Sequence, residues 1–273
     1  MTDPRLHDDD IARARSYDDV AATYERLNAP IFFDAPARSL AEFGGITPGQ
    51  RVLDVGAGTG AVSRAMLSAG ADVVAFDIST HMLLAARRGG VSLAVCGALP
   101  ELPFLDGAFG AVVSAFVLTH VDDADASVRE MRRVLKRGGC IALSSWAAAD
   151  DVYTAACAEI VAEFIDLARV TEAAQRVLPG EARFSQPDGL VSLLEAGGLR
   201  GVRSECRTFE FACSVEELVA SREVCASGRA LRALLTDEQY RAYRARSLEV
   251  LGRKFPEGIR YPRQVFLAAG VVA

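Results

Sequence analysis

Val52-Leu53-Asp54-Val55-Gly56-Ala57-Gly58-Thr59-Gly60 decides how this chain folds. An apolar run ends in a carboxylate, then breaks into three glycines set at every second residue. Beyond it Val62, Ala65, Met66 and Ala69 recur at helical spacing, so the glycines join a buried strand to a helix. Glycine has no Cβ, so this turn can take positive φ and let a ligand lie against bare backbone. The helix that follows turns unpaired N–H groups and a positive dipole end toward the same place. The next acid at a strand end is Asp77, closing Asp72-Val73-Val74-Ala75-Phe76-Asp77, 23 residues after Asp54. At the tip of the neighbouring parallel strand it is placed to accept from two vicinal hydroxyls of a ribose.

The alternation continues outward. Val73–Phe76, Val91–Val95, Ala111–Phe116 and Ile141–Leu143 read as strands. Helical patterns lie between them, at Met82 to Ala86 and over Ala126–Leu135, the latter stopped by Gly138-Gly139. Near-continuous apolar strands joined by helical crossovers predict a doubly wound α/β fold, a parallel sheet covered on both faces. Its ligands sit beyond the strands' carboxyl ends, where Gly56, Asp77, Leu99 and Ser114 fall. After Trp146 the rhythm changes. Residues 151–177 read as wholly helical. Ser185-Gln-Pro-Asp188 then offers a cap for a helix over Gly189–Ala196, and Val202 to Thr208 alternates like a half-exposed strand. Ser214-x-x-Glu217 and Thr236-x-x-Gln239 start two further helices, and Gln264 to Val272 reads as a last strand.

Bulk properties narrow the function. The 273 residues are 51% hydrophobic and 24% charged with a net charge of −6, an ordinary globule and a poor partner for polyanions. Arginines such as Arg129, Arg132, Arg133, Arg241, Arg244 and Arg246 read as solvated helix faces, so no nucleic-acid partner is expected. The longest apolar stretch, Ala111 to Leu118, is too short to span a bilayer, and Asp8, Asp9 and Asp10 do not look like a signal peptide. A cytoplasmic protein with no membrane partner is expected. Six cysteines without a C-x-x-C pair, and His7, His81 and His120 without ligand spacing, predict reduced thiols and no metal. Oligomeric state is not legible.

A dinucleotide fingerprint needs two residues between its second and third glycines, and here only Thr59 separates Gly58 from Gly60. That spacing resembles the first motif, acid-x-Gly-x-Gly-x-Gly, of the class I S-adenosylmethionine (SAM)-dependent methyltransferases. More narrowly it resembles their small-molecule branch, of the type 11 or ubiquinone-biosynthesis-like kind. The resemblance runs from about Tyr17 to Val271 and is strong from Arg51 to Ser145. It implies a Rossmann-like seven-stranded sheet, last strand antiparallel, with helical cap insertions. It also implies an N-terminal helical lid over 1–45, a SAM-binding core over 46–150, a helical cap segment over 151–185, and completion of the sheet over 186–273 with a helical insert around 212–258.

By the same resemblance Gly56, Ala57, Gly58 and Gly60 lie against SAM with Asp54 supporting the loop, Asp77 holds the ribose diol, and Ile78 packs on the adenine. The family's third motif carries an acid where this chain has Ala98-Leu99-Pro100, so Ala98 and Leu99 are left as the contacts there, with Glu101 a distant substitute. Ser114 stands where relatives offer a carbonyl to the cofactor's ammonium. Leu118-Thr119-His120-Val121 stands where many members read Leu-His-His, making His120 the candidate base for deprotonating an acceptor hydroxyl; a structural histidine at a helix start is the alternative. Tyr17-Asp18-x-x-Ala-x-x-Tyr24-Glu25 resembles the lid, with Tyr24 and Tyr17 closing over the cofactor or forming a core stripe of one amphipathic helix. Trp146, Asp151 and Tyr153 are candidates for the acceptor pocket.

The implied activity is SAM-dependent methylation of a small-molecule, secondary-metabolite type acceptor, at oxygen in the first instance. Two rivals keep the same motifs: a SAM-binding enzyme catalysing a non-methylating step such as cyclisation, and a non-catalytic SAM-binding regulatory module. Only the fate of the methyl group separates the first from methyl transfer; the second predicts SAM affinity without turnover.

Overall fold

The computed structural model describes residues 8–149 and 151–273. The first seven residues of the expected lid, His7 among them, and Asp150 lie outside the described residues. Seven strands form one sheet: β1 (Arg51–Val55), β2 (Asp72–Asp77), β3 (Leu93–Cys96), β4 (Phe109–Ala115), β5 (Leu135–Trp146), β6 (Arg200–Cys213) and β7 (Ile259–Val271). Their order is β3-β2-β1-β4-β5-β7-β6. The first five run parallel, and β7 lies antiparallel between β5 and β6. The expected Rossmann-like sheet with its antiparallel last strand is the one observed.

Strand β1 shows why these strands are apolar throughout. Leu53 and Val55 pack on one face with Phe76, Val112, Met131 and Leu193. Val52 packs on the other with Leu40, Met66, Val113 and Leu267. A strand buried on both faces has no solvent side to make polar.

The helices arrive in three groups. At the N-terminus α1 (Asp8–Asp18) and α2 (Ala21–Thr23) lead into a π-helical stretch over Tyr24–Phe33, then α3 (Asp34–Phe43). The crossovers α4 (Ala61–Ser68), α5 (Thr80–Arg88) and α6 (Ala124–Arg133) join the parallel strands. Ser79 and Asp123 cap the last two by accepting from the N–H groups of Met82 and Ala126. The third group follows β5: α7 (Val152–Ala162), α8 (Leu167–Val177), α9 (Glu181–Phe184), α10 (Gly189–Ala196), α11 (Val215–Val224), α12 (Ala226–Leu234) and α13 (Asp237–Lys254).

Three expectations change here. Residues 151–177 are two helices rather than one, because Asp166 caps a new start by accepting from Ala168 N–H at 2.9 Å. Helix α10 begins where expected, but no side chain caps it. Strand β5 begins at Leu135, before the glycines meant to precede it. Both capping boxes, Ser214 with Glu217 and Thr236 with Gln239, are formed.

The β6–β7 hairpin outgrows the sheet. Val265–Val271 of β7 pairs with β5, whereas Ile259 to Gln264 pairs only with β6. That overhang carries the third helix group on its own core, where Phe211 and Ile259 meet Ile160, Leu218, Leu231 and Leu251. These helices are therefore rooted in the sheet, beyond the carboxyl end of β5. Among the described residues, no helix is long and apolar enough to cross a membrane.

Candidate functional site

The carboxyl ends of the strands open into a cavity of about 710 Å³, within the range of small-molecule sites. Its floor follows the sheet. Ala98 and Leu99 follow β3, Asp77 ends β2, and Gly56 to Thr59 follow β1. Ala115 to Val117 close β4, Trp146 ends β5, and Arg263 projects from the β7 overhang. Tyr17, Tyr24, Asn28 and Phe33 roof it from the N-terminal helices, and Arg222 and Arg229 wall it from α11 and α12.

The three glycines after β1 all have positive φ, +70°, +54° and +86°, for three different reasons. A Cβ on Gly56 would lie 2.2 Å from a Val117 methyl, and one on Gly60 would lie 3.0 Å from the Ala86 Cβ on α5. At Gly58 a Cβ would meet nothing within 4 Å, so bare backbone there faces open cavity. Such a cradle suits a cofactor pressed against main chain.

Two acids brace this loop. Asp54 is 1% exposed and accepts from Ser63 Oγ at 2.6 Å, tying β1 to α4. Burial pushes its carboxyl up to about 7, against the pull of that hydroxyl, so it serves as a strut more than as a charge aimed at a ligand. Asp77 lines the cavity. Its Oδ2 accepts from Gly58 N–H and its Oδ1 from Ser79 N–H, each at 2.8 Å. Burial raises this carboxyl and the two N–H donors oppose the rise.

The roof is latched down. Asp18 Oδ1 accepts from Ser79 Oγ at 2.6 Å and from His81 N–H at 3.0 Å. Arg88 pairs with Glu25 at 2.8 Å, and Arg13 with Asp122 at 3.1 Å. A 3.2 Å hydrogen bond links Tyr17 Oη to His120 Nδ1, with the Arg229 guanidinium 4.3 Å over the Tyr17 ring. Burial pulls His120 down to about 4, and the positive charges of Arg229 and Arg13 push the same way. His120 is thus neutral at physiological pH and a weak base.

Past the end of β4 stands an aromatic wall. Phe116 stacks on Trp146 at 4.5 Å, and Phe33 meets both rings edge-on at 5.3 and 5.9 Å. Phe116 has φ +60°, the one positive value at a non-glycine among the described residues. Such a backbone costs about 1–3 kcal/mol and persists only where its surroundings enforce it; Phe116 N–H donates to the Ser144 carbonyl at 2.9 Å. Asn28 is 3% exposed, and its Oδ1 has no partner among the described residues, so a donor on a bound molecule would satisfy it.

Of the residues singled out in the sequence, Tyr24, Gly56, Ala57, Gly58, Asp77, Ile78, Ala98, Leu99 and His120 all line this cavity. Asp54, Gly60 and Ser114 stand behind the lining. Ser114 is 1% exposed and donates to the Val55 carbonyl at 2.9 Å, so β4 first reaches the cavity at Ala115. Tyr17 and Tyr24 both face the cavity but from different helices, because the turn at Asp19-Val20 divides them. Trp146 lines it; Asp151 and Tyr153 do not. Asp151 caps α7 through Tyr153 and Thr154 N–H, and Tyr153 Oη donates to the Arg260 carbonyl. Glu101 is exposed and outside the lining. Asn28, Phe33, Phe116, Arg222, Arg229 and Arg263 were not foreseen. Each sits in an ordinary helix or strand pattern, and only the positive φ at Phe116 marks one of them locally.

Comparison with known proteins gives the family. Residues 53–143 match the family model described as a methyltransferase domain. The chain is 34% identical over 200 residues to a demethylmenaquinone methyltransferase of Beutenbergia cavernae, covering 69% of this chain and 83% of that one. It is 38% identical over 158 residues to a demethylmenaquinone methyltransferase of a Parafrankia species, covering 48% of this chain and 61% of that one, short of two thirds of its length. Among solved structures it resembles phosphoethanolamine N-methyltransferase 2 of Haemonchus contortus, with a TM-score of 0.60 at 19% identity, covering 99% of this chain and 62% of that one. It also resembles the 4+2 cyclase SpnF, with a TM-score of 0.52 at 19% identity, covering 88% and 82%. Those two likenesses show the fold alone.

Two outcomes follow. Gly58→Val should leave a cooperative fold, less stable by the strain of a β-branched residue at positive φ, yet abolish SAM binding, whereas Gly56→Ala should destabilise through its collision with Val117. Thermal melts with and without SAM check both; Gly58→Val protein that still binds SAM would mean the loop merely turns the chain. His120 holds no proton in the fold between about 4 and 6.5, where the unfolded chain takes one, so its burial weakens folding as pH falls through that window. Replacing it by Asn should flatten this part of the profile. Urea midpoints from pH 7.5 to 4.5 that fall in parallel for both proteins would contradict the buried neutral histidine.

Proposed function

The chain belongs to the class I SAM-dependent methyltransferases, and on that premise we propose that it methylates an oxygen of a small, flat secondary-metabolite acceptor held against Phe33, Phe116 and Trp146. The observation that carries this reading is the continuity of the cavity. One space runs from bare Gly58 backbone, past the end of β4, to the aromatic wall, under a latched roof. SAM supplies an electrophilic methyl on a sulfonium, which leaves as a neutral thioether. The protein's task is then to place the acceptor in line and keep water away.

In this proposal Gly56, Ala57 and Gly58 lie under the cofactor, Asp77 accepts from its ribose, and Ile78, Ala98 and Leu99 enclose its base. Tyr24 stacks on Phe33 at 5.4 Å and closes the roof where the two ligands meet. Asp54 and Gly60 act one layer behind, as strut and helix start. His120 borders the transfer position, but with its proton affinity pulled down to about 4 it orients an acceptor rather than ionising an ordinary hydroxyl. The acceptor therefore arrives already nucleophilic. The relatives' names point to a quinone-type ring, a shape the wall of stacked rings also favours. Cytoplasmic action is part of the same proposal, on the compositional grounds above.

Incubation with labelled SAM and aromatic hydroxyl compounds, read by mass, should give products heavier by one methyl group. A product of unchanged mass would place the chain with the non-methylating users of this fold. His120→Asn should lower turnover less than about tenfold with SAM affinity unchanged, as expected for orientation alone. A loss above about a hundredfold, in protein that still binds SAM and melts normally, would make His120 a true base.

A further inference from the structure

Eleven arginines are paired with the chain's own acids among the described residues. Arg64, Arg88, Arg133, Arg183, Arg207 and Arg246 each lie within 3.1 Å of a carboxylate oxygen. Three that face the cavity are not. Among the described residues, Arg222, Arg229 and Arg263 have no carboxylate within 4.0 Å. Arg263 lies 4.9 Å over the Trp146 ring and Arg229 4.3 Å over Tyr17, with one hydrogen bond from Arg229 to the Val224 carbonyl. Arg222 faces Cys157, Cys225 and Tyr243. The cavity carboxylate on this side is Glu181, which feels Arg263 but does not pair with it.

A guanidinium stays charged even when partly enclosed, and all three are half-buried with no carboxylate partner among the described residues. Three of them, brought to one cavity by α11, α12 and β7, make a site that lacks its anion. The planar fork of arginine matches a carboxylate in two-pronged fashion, and Arg263 lies over the Trp146 ring of the aromatic wall. We propose that these guanidiniums form the anion-binding end of the acceptor site, and that the acceptor is an aromatic ring carrying a carboxylate. The inference rests on the methyl-transfer reading above and names its substrate class. The carboxylate anchors the ring between Arg222 and Arg263, leaving the opposite edge directed toward the transferred methyl.

The test uses the full chain loaded with S-adenosylhomocysteine. Calorimetry compares 6-hydroxy-2-naphthoate, 4-hydroxybenzoate and 4-hydroxycinnamate, each against its neutral carboxamide. At least one acid should bind ten or more times more tightly than its amide. Arg222→Met and Arg263→Met should each cut that preference at least fivefold, with SAM affinity within twofold of wild type. Both variants should melt close to wild type, so that the lost preference is read in folded protein, and each should keep the affinity for the neutral amide, which loss of a merely structural arginine would not allow. If a variant fails to fold, the arginine is structural and the proposal falls for that residue; the wild-type acid-to-amide ratio still decides for the site. Acids that bind no better than amides in every pair, absence of binding included, overturn the proposal. If wild-type protein also fails to bind SAM, the methyltransferase reading falls as well; if SAM binds normally, only the acceptor class is wrong.

Discussion

The site hangs on the carboxylate of Asp77. One oxygen accepts from Gly58 N–H, the other from Ser79 N–H. Ser79 in turn caps α5 through Met82 N–H, and its hydroxyl donates to Asp18 at the end of α1. A single acid therefore joins the loop after β1, the end of β2, the start of α5 and the roof. Hydrogen bonds to a charged acceptor contribute about 1.5–3 kcal/mol each, enough to hold a loop with three residues at positive φ. The same carboxylate still borders the cavity, so the group that shapes the loop is also the one proposed to accept from the cofactor's ribose.

From that anchor the cavity divides by chemistry. The half over β1, β2 and β3 is built from backbone and acid, with a bare glycine and Asp77. The half over β4, β5 and β7 is built from rings and guanidiniums, with Phe116, Trp146 and Arg263. Those halves come from different parts of the chain. The first is complete within residues 51–99, one run of strand, loop and helix. The second needs the overhanging β6–β7 hairpin and the helices packed on it, so in the proposed reading the acceptor side can vary without disturbing the cofactor side.

This division also sets what the sequence discloses. The glycine loop and Asp77 are legible because loop, strand end and spacing are all local. The two capping boxes are legible for the same reason, since Ser214 and Thr236 each meet an acid or amide three residues on. Helix α12 escaped because Cys225 Sγ caps it, accepting from Gly228 N–H at 3.4 Å, and cysteine carries no such expectation. The break before α8 escaped because Asp166 lies inside an apolar pattern that reads as continuous helix. Arg222, Arg229 and Arg263 look like any arginines on helix and strand surfaces; only folding brings them to one wall. Asp151 and Tyr153 were misread the opposite way, near the site in sequence yet occupied in capping and in closing the hairpin.

The central claim is that Asp77 both pins the glycine loop and meets the cofactor. Isothermal titration of SAM into Asp77→Ala protein, beside a thermal melt without ligand, tests it most directly. The account predicts a folded variant whose SAM affinity is weaker by about 1.5–3 kcal/mol, the loss of charge-assisted hydrogen bonds. A variant that melts normally and binds SAM as tightly as wild type would contradict it, and would remove Asp77 from the site.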